Sequence, residues 1–238
     1  MAYIIENDVR VLLPVRDINI LLEKNNVTET ESEAFLTQRV LFAIDFVKSY
    51  IQHRYDVSQI FIDVNTFDST ATYTEGSAIY WFETAYDNSV DYSAGDFVSY
   101  EGNIYEVTTE TPSAGILPTD TNYWTKRGAN KRYYTVIQDT IAGAYPYNTS
   151  YFTQADARHQ LILTYTLSIA VYELFKKVQP TQVPDWIISS RDEAVSHLKD
   201  IQRGISTVIL PVKTDADGIE EGHEITYDFP YTNQNYDF

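Results

Sequence analysis

Apolar residues recur at steps of four and three between Thr30 and Tyr55: Leu36, Val40, Ile44, Val47 and Ile51. That spacing lays them along one stripe of a helix. Thr30 and Glu33 stand in the relation of a capping box at its start, and the polar run QHRYD closes it. A second long helix is predicted from about Thr153 to Val178, with Asp156 in its first turn. Its middle is apolar almost all round, with Leu161, Ile162, Leu163, Leu167, Ile169, Ala170, Val171, Leu174 and Phe175. A helix of that kind packs on several sides and belongs at the centre of a fold. A third begins near Pro184, which suits a first helical position. Ile187, Arg191, Ala194, Leu198 and Ile201 trace its face, with the Arg191 stem lying along it. Lys199 and Arg203 favour its last turn, and Gly204 is a left-handed stop. A shorter helix is expected over residues 17–24.

Between the first two long helices the period changes from 3.6 to 2. Residues 57–150 are rich in Thr, Tyr, Ser, Gly and Asn, with short alternating runs such as FVSY and IYEVTT that read as strands. In YSAGDFVSYEGNIYEV the EGN triplet supplies a hairpin turn, with Gly102 and Asn103 as the residues that tolerate positive φ. After Pro211 no helical period survives. The expected organisation is α+β: a core of three to four helices from residues 1–56 and 151–211, an inserted β-rich domain over 57–150, and an extended C-terminal arm over 212–238.

Charge follows the same division. The 238 residues carry a formal net charge of −17. From Tyr55 to Thr125 there is no Lys or Arg against twelve acids, and after Lys213 there is none against seven. Neither segment suits a phosphate backbone, whose affinity for proteins comes from basic side chains. With no cysteine, disulfides and thiolate chemistry are excluded. The N-terminus lacks the basic flank and apolar run of a signal peptide, and His159 to Tyr172 is too short for a bilayer span. The expectation is a protein that neither enters a membrane nor leaves the cell by an N-terminal signal.

Residues of about 78–127 resemble the small chitin-binding carbohydrate modules of bacterial chitinases and cellulases. The resemblance rests on Gly95-Asp96, on Tyr100-Glu101-Gly102-Asn103-Ile104-Tyr105, on Gly115 to Pro118, and on a closing Trp124. It implies that Gly95, Asp96, Tyr100, Gly102, Tyr105, Pro118 and Trp124 hold the module's fold. Independently of any family, Val98, Tyr100, Tyr105 and Trp124 suffice for a small aromatic core. Modules that bind sugar stack exposed rings on it, and some carry an aromatic pair just after the second hairpin strand. Here Thr108, Thr109 and Glu110 stand there, which leaves Trp81, Phe82, Tyr86 and Tyr123 as the candidate stacking residues, the simpler reading of them being core or interface aromatics.

With that insert set aside, the flanks are similar to head–tail adaptor (head-completion, connector) proteins of tailed bacteriophages. Ile51, Arg54 and Tyr55 match an Ile-x-x-x-Arg-Tyr element, Ile169, Ala170, Tyr172 and Leu174 an apolar helix motif, and Ala194, Leu198, Ile201 and Gly204 a terminal helix and its stop. The opening AYIIENDV matches more loosely. The resemblance implies a structural virion protein in the neck: a twelve-subunit ring joining the portal to the tail or to a second neck ring, with genomic DNA only as passing cargo. The other function these residues allow is a carbohydrate-binding structural protein that contacts host surface glycans.

No catalytic constellation accompanies either resemblance. His53, His159, His197 and His223 lack metal-binding spacing. DADGIEEGHE places its Gly two positions early for a calcium loop. No enzyme activity, metal or cofactor is expected. The arm, with Tyr227, Phe229, Tyr231, Tyr236 and Phe238 among its acids, is expected to order on a partner, since disordered tails are poor in aromatics.

Overall fold

A computed structural model describes residues 3–13, 29–108, 112–178, 183–206 and 208–214. The predicted helix over 17–24, Thr109 and Glu110, and the arm beyond Thr214 lie outside them, as do the side chains of the Thr30–Glu33 pair. The described chain is mixed α/β, with five helices and two sheets. In chain order these are α1 (Glu6–Leu12), α2 (Glu29–Ile51), α3 (Val57–Ile60), β1 (Val64–Thr66), β2 (Ala78–Trp81), β3 (Phe97–Tyr100), β4 (Asn103–Val107), β5 (Trp124–Ala129), β6 (Arg132–Val136), β7 (Phe152–Thr153), α4 (Gln160–Val178) and α5 (Asp185–Gln202).

The helices share one core. Val40, Ile44, Val47 and Ile51 of α2 meet Ile162, Leu167, Ile169, Ala170 and Leu174 of α4 and Ile187, Ala194, Leu198 and Ile201 of α5, all buried. Leu161 departs from the expectation and lies at the surface, on the outer side of the first turn of α4. Gly204 closes α5 at φ 72°, the left-handed conformation a helix stop requires. The chain then returns beside the end of α2. Tyr55 forms an antiparallel bridge with Val212, and Lys213 N–H donates to the Arg54 carbonyl at 3.1 Å.

Two expected boundaries move. Ile60 of α3 is buried in the helical core with Phe61 packed beside it, so the chain leaves that core near Asp63, not at residue 57. Helix α4 starts at Gln160 instead of Thr153, because Phe152–Thr153 pairs with β6 as strand β7. Asp156 therefore sits in a turn, where its carboxylate accepts hydrogen bonds from the backbone and guanidinium of Arg158.

All seven strands fall between residues 64 and 153. One sheet has the order β1-β2-β6-β7 and the other β3-β4-β5. Within them one structural unit occurs twice. Ala78, Ile79, Tyr80 and Trp81 pair with Thr135, Tyr134, Tyr133 and Arg132. Phe97, Val98, Ser99 and Tyr100 pair in the same register with Glu106, Tyr105, Ile104 and Asn103. Gly76 N–H donates to Val136 and Gly95 N–H to Val107, each at 2.8 Å, and both glycines have positive φ. Asp68 N–H donates to the Tyr73 hydroxyl as Asp87 N–H does to that of Tyr92. The closing strands arise from AGAYPYNTSYFT and AGILPTDTNYWT, where Asn148 and Asp120 each cap the same turn through Ser150 and Asn122.

The two units are nested, not consecutive. In the second, β3 and β4 are joined by the two-residue turn Glu101-Gly102, both at positive φ, the type I′ geometry that suits strand twist. Asn103, expected in the turn, is instead the first residue of β4 and pairs with Tyr100. In the first unit the equivalent turn between Trp81 and Arg132 is replaced by residues 82–131, which contain the whole second unit.

Candidate functional site

The second unit packs around Val98, Val107 and Trp124, all buried, with Tyr86, Tyr92, Tyr105, Ile116 and Tyr123 against them. Each fold residue read from the sequence has a physical task here. Gly95 supplies a φ of 92° before β3. The Asp96 carboxylate accepts from Ser93 N–H at 2.7 Å and fixes that turn. Pro118 is buried under the loop that leads to Trp124. Tyr100 meets the Tyr86 ring edge-on at 5.9 Å and faces outward more than the expected small core implies.

Beside these rings lies a shallow, open depression of about 500 Å³, lined by Ala85, Tyr86, Asp87, Asn88, Tyr100 and Leu117. Leu117 is 45% exposed at its rim. Asp87 is held in shape by Ser89, whose hydroxyl and N–H both donate to its carboxylate, at 2.7 and 2.8 Å. Those bonds hold the Asp87 carboxyl below the usual range, so the rim keeps its negative charge well into mild acid.

The four candidate stacking aromatics do not form one platform. Trp81 is a core residue, 1% exposed, and its Nε1–H donates to Glu83 at 2.8 Å. Burial of Glu83 outweighs that bond and raises its pKa. Phe82 is exposed but packs toward Tyr80, at 5.6 Å. Tyr123 packs on the small core. Only Tyr86 lines the depression, where Tyr100 and Leu117 join it. The internal likeness of AGAYPYNTSYFT to AGILPTDTNYWT was the available signal that Trp81 belongs to a different unit from Tyr86.

The β-units join the helical body through a buried ionic cluster that sequence patterns did not single out. Arg158 is 2% exposed. Its guanidinium donates to both Asp8 oxygens at 2.7 and 3.0 Å, to Asp156 at 2.7 Å and to the Tyr3 carbonyl at 2.7 Å. The Tyr133 hydroxyl, from β6, donates to Asp8 at 2.6 Å, and its ring lies 4.5 Å from the guanidinium. Burial disfavours the charge on Arg158, but its bonds to Asp156 and Asp8 more than offset this and raise its pKa. For Asp156 the penalty of burial is likewise outweighed, by Arg158, and its pKa falls. Burial raises those of Tyr3 and Tyr133 strongly.

On the helical body, Ile51, Tyr55 and Leu198 are buried, and Arg191 lies over the half-buried Tyr172 ring at 4.9 Å. Arg54 lies over Tyr55 at 5.5 Å and reaches the space beside Gly204. Arg54, Arg203 and Lys213 thus gather at one end, and none of them pairs with a carboxylate among the described residues. Ile205 and Ile209 are strongly exposed on the same exit, Ile209 at 96%. Leu41 and Phe42 leave a further apolar patch on α2.

Among the described residues no group of three or more His, Asp or Glu is placed to hold a metal ion, and no helix is long and apolar enough to cross a membrane. No known protein family, curated protein or solved structure matches the chain.

Proposed function

We propose that the protein is a non-enzymatic head–tail adaptor subunit of a tailed bacteriophage, with a helical adaptor core carrying an inserted all-β, carbohydrate-module-like part. Its place is the virion neck, as a ring between the portal and the tail or a second neck ring. The observation that carries the reading is the convergence of the adaptor-like motif residues. Ile51 and Tyr55, Ile169, Ala170 and Leu174, and Ala194, Leu198 and Ile201 lie far apart in sequence yet share one core. The exit segment that follows them pairs back onto Tyr55.

A ring subunit needs self-complementary surface away from its core. Leu41 and Phe42 on α2, and Ile205 and Ile209 at the exit, supply uncovered apolar area. Arg54, Arg203 and Lys213, which pair with no carboxylate among the described residues, suit the arm beyond Thr214, with its seven acids and no base. In this reading Tyr227, Phe229, Tyr231, Tyr236 and Phe238 anchor the arm on a neighbouring subunit or the portal. Passing DNA would be repelled by the acidic β-part if it lines the channel.

Electron microscopy of the purified full chain, with its mass in solution, tests the assembly. Closed rings are expected; a protein that stays monomeric at every concentration would retire the proposal. The runner-up, glycan contact, draws on the depression beside Tyr86, but the ring best suited to stacking, Trp81, is buried. Retention of the full chain on insoluble chitin is therefore expected to be no greater than on an inert resin.

A further inference from the structure

The nested repeat allows one unit to show what the other's open face accepts. The depression of the second unit is lined by Tyr86, Tyr100 and Leu117. Strand register and the shared turns place Phe67, Trp81 and Tyr145 at the equivalent positions of the first unit. There the three rings also cluster, Phe67 lying 5.9 Å from Trp81 and 5.2 Å from Tyr145. That face is filled. Phe97 of the second unit stacks on Tyr145 at 4.5 Å and 23°, and meets Trp81 edge-on at 6.1 Å.

A base accompanies the inserted ring. Arg127 lies 4.6 Å over Tyr147, next to the stacked pair, with its Nε held by Glu106 at 2.6 Å. The second unit cannot be filled in the same way by the first, because the position equivalent to Phe97 is Ala78, which is buried and has no ring to offer. Among the described residues its face is therefore open.

We propose that this open face is a docking site for an aromatic side chain of a partner protein, one flanked by Lys or Arg. The aromatic preference follows from the occupied copy, where offset stacking favours a planar ring over an aliphatic one. The basic flank follows from charge: the stretch from Tyr55 to Thr125 has twelve acids and no base, and Asp87 lies in the lining. The same charge excludes the protein's own acidic arm as the occupant, by like-charge repulsion. The site stands whether or not the helical body forms rings, so its test is independent of that reading.

The test is a titration of the isotope-labelled full chain, followed by NMR, with three probes: Ac-Gly-Phe-Arg-Gly-amide, its Asp-for-Arg counterpart, and chitotriose. The expected result is saturable shifts at Tyr86, Asn88, Tyr100 and Leu117 with the Arg peptide below about 10 mM, in the range of a weak single contact. The Asp peptide should bind several-fold more weakly, and the gap should narrow as salt shortens the screening length from ~8 to ~3 Å. Leu117→Asp, on an exposed rim, should abolish the shifts without unfolding the chain.

Phe97→Ala gives a second measurement, since it should uncover the first unit's face and add binding that shifts Tyr145 and Trp81. No response to either peptide, equal response to both, or saturable shifts with chitotriose alone would overturn the proposal, the last in favour of a glycan.

Discussion

Glu101 holds the first position of the β3–β4 turn with φ 47°, followed by Gly102 at 75°. A non-glycine residue pays ~1–2 kcal/mol in the left-handed region, and Asn least of the others. Glu101→Asn is therefore expected to stabilise the chain by ~0.5–1 kcal/mol, measured as a rise in the thermal midpoint; a fall would mean Glu101 makes a contact not seen here. The turn was legible in the sequence, but its register was not, since Gly102-Asn103 and Glu101-Gly102 offer similar local chemistry and only the pairing of Tyr100 with Asn103 decides between them. The choice between a core and a stacking role for Trp81 is hidden for a related reason. An alternating strand shows which residues share a face, and only the contact with Phe97 and Tyr145 reveals that this face is covered. The role of Arg158 carried little sequence signal, because only Asp156 lies near it and its other partners Asp8 and Tyr133 are distant in the chain. Arg158→Met leaves Asp8 and Asp156 without their cation and is expected to cost ~3–5 kcal/mol in urea denaturation. Arg158→Lys should recover only part of this, lacking the planar fork that serves both carboxylates and the Tyr3 carbonyl. Full recovery by Lys would show that charge alone matters.

At the scale of elements the three long helices were legible because each has a sustained apolar period, and α2 and α5 lie close to where it placed them. The start of α4 was misplaced because Thr153 and Asp156 look like a helix entry, whereas the structure uses Phe152–Thr153 as a strand and Asp156 as a partner for Arg158. That difference has a pH signature. The folded Asp156 has a pKa below its ordinary value, so the ion pair's contribution to stability is complete above about pH 4, the unfolded value, and is lost as pH falls through the lower folded one. Denaturation midpoints between about pH 6 and 3 should therefore fall more steeply in the parent than in Asp156→Asn. Parallel curves would assign the acid sensitivity to other carboxylates.

For the whole molecule, the sequence distinguished a helical part from a β part through the change of period, and it placed the closing Trp124, Pro118 and Gly95 of one module. The second copy was legible only in part: AGAYPYNTSYFT and AGILPTDTNYWT agree at about half their positions, but the first copy is split by residues 82–131 and its opening piece shares only scattered identities with the intact unit. The nesting makes a sharp demand on the chain. Trp81 and Arg132 are paired directly across the sheet, just as Tyr100 and Asn103 are across the Glu101-Gly102 turn. Two residues of type I′ geometry are thus enough to close the first hairpin once the second unit is gone. Replacing residues 82–131 by Asn-Gly should leave a folded protein with its helical circular-dichroism signal intact, since the Arg158 cluster draws on Asp8, Tyr133 and Asp156, all of which are kept. Stability should fall, because Phe97 and Arg127 no longer cover Tyr145, Tyr147 and Trp81. Trp81 is then the face-lining tryptophan, and its fluorescence should shift to the red as water reaches a ring that is 1% exposed in the parent. A protein that loses its helical signal on this replacement would show that the second unit is part of the scaffold rather than a passenger on one hairpin. A folded protein with unshifted Trp81 emission would show that something other than the second unit covers that face.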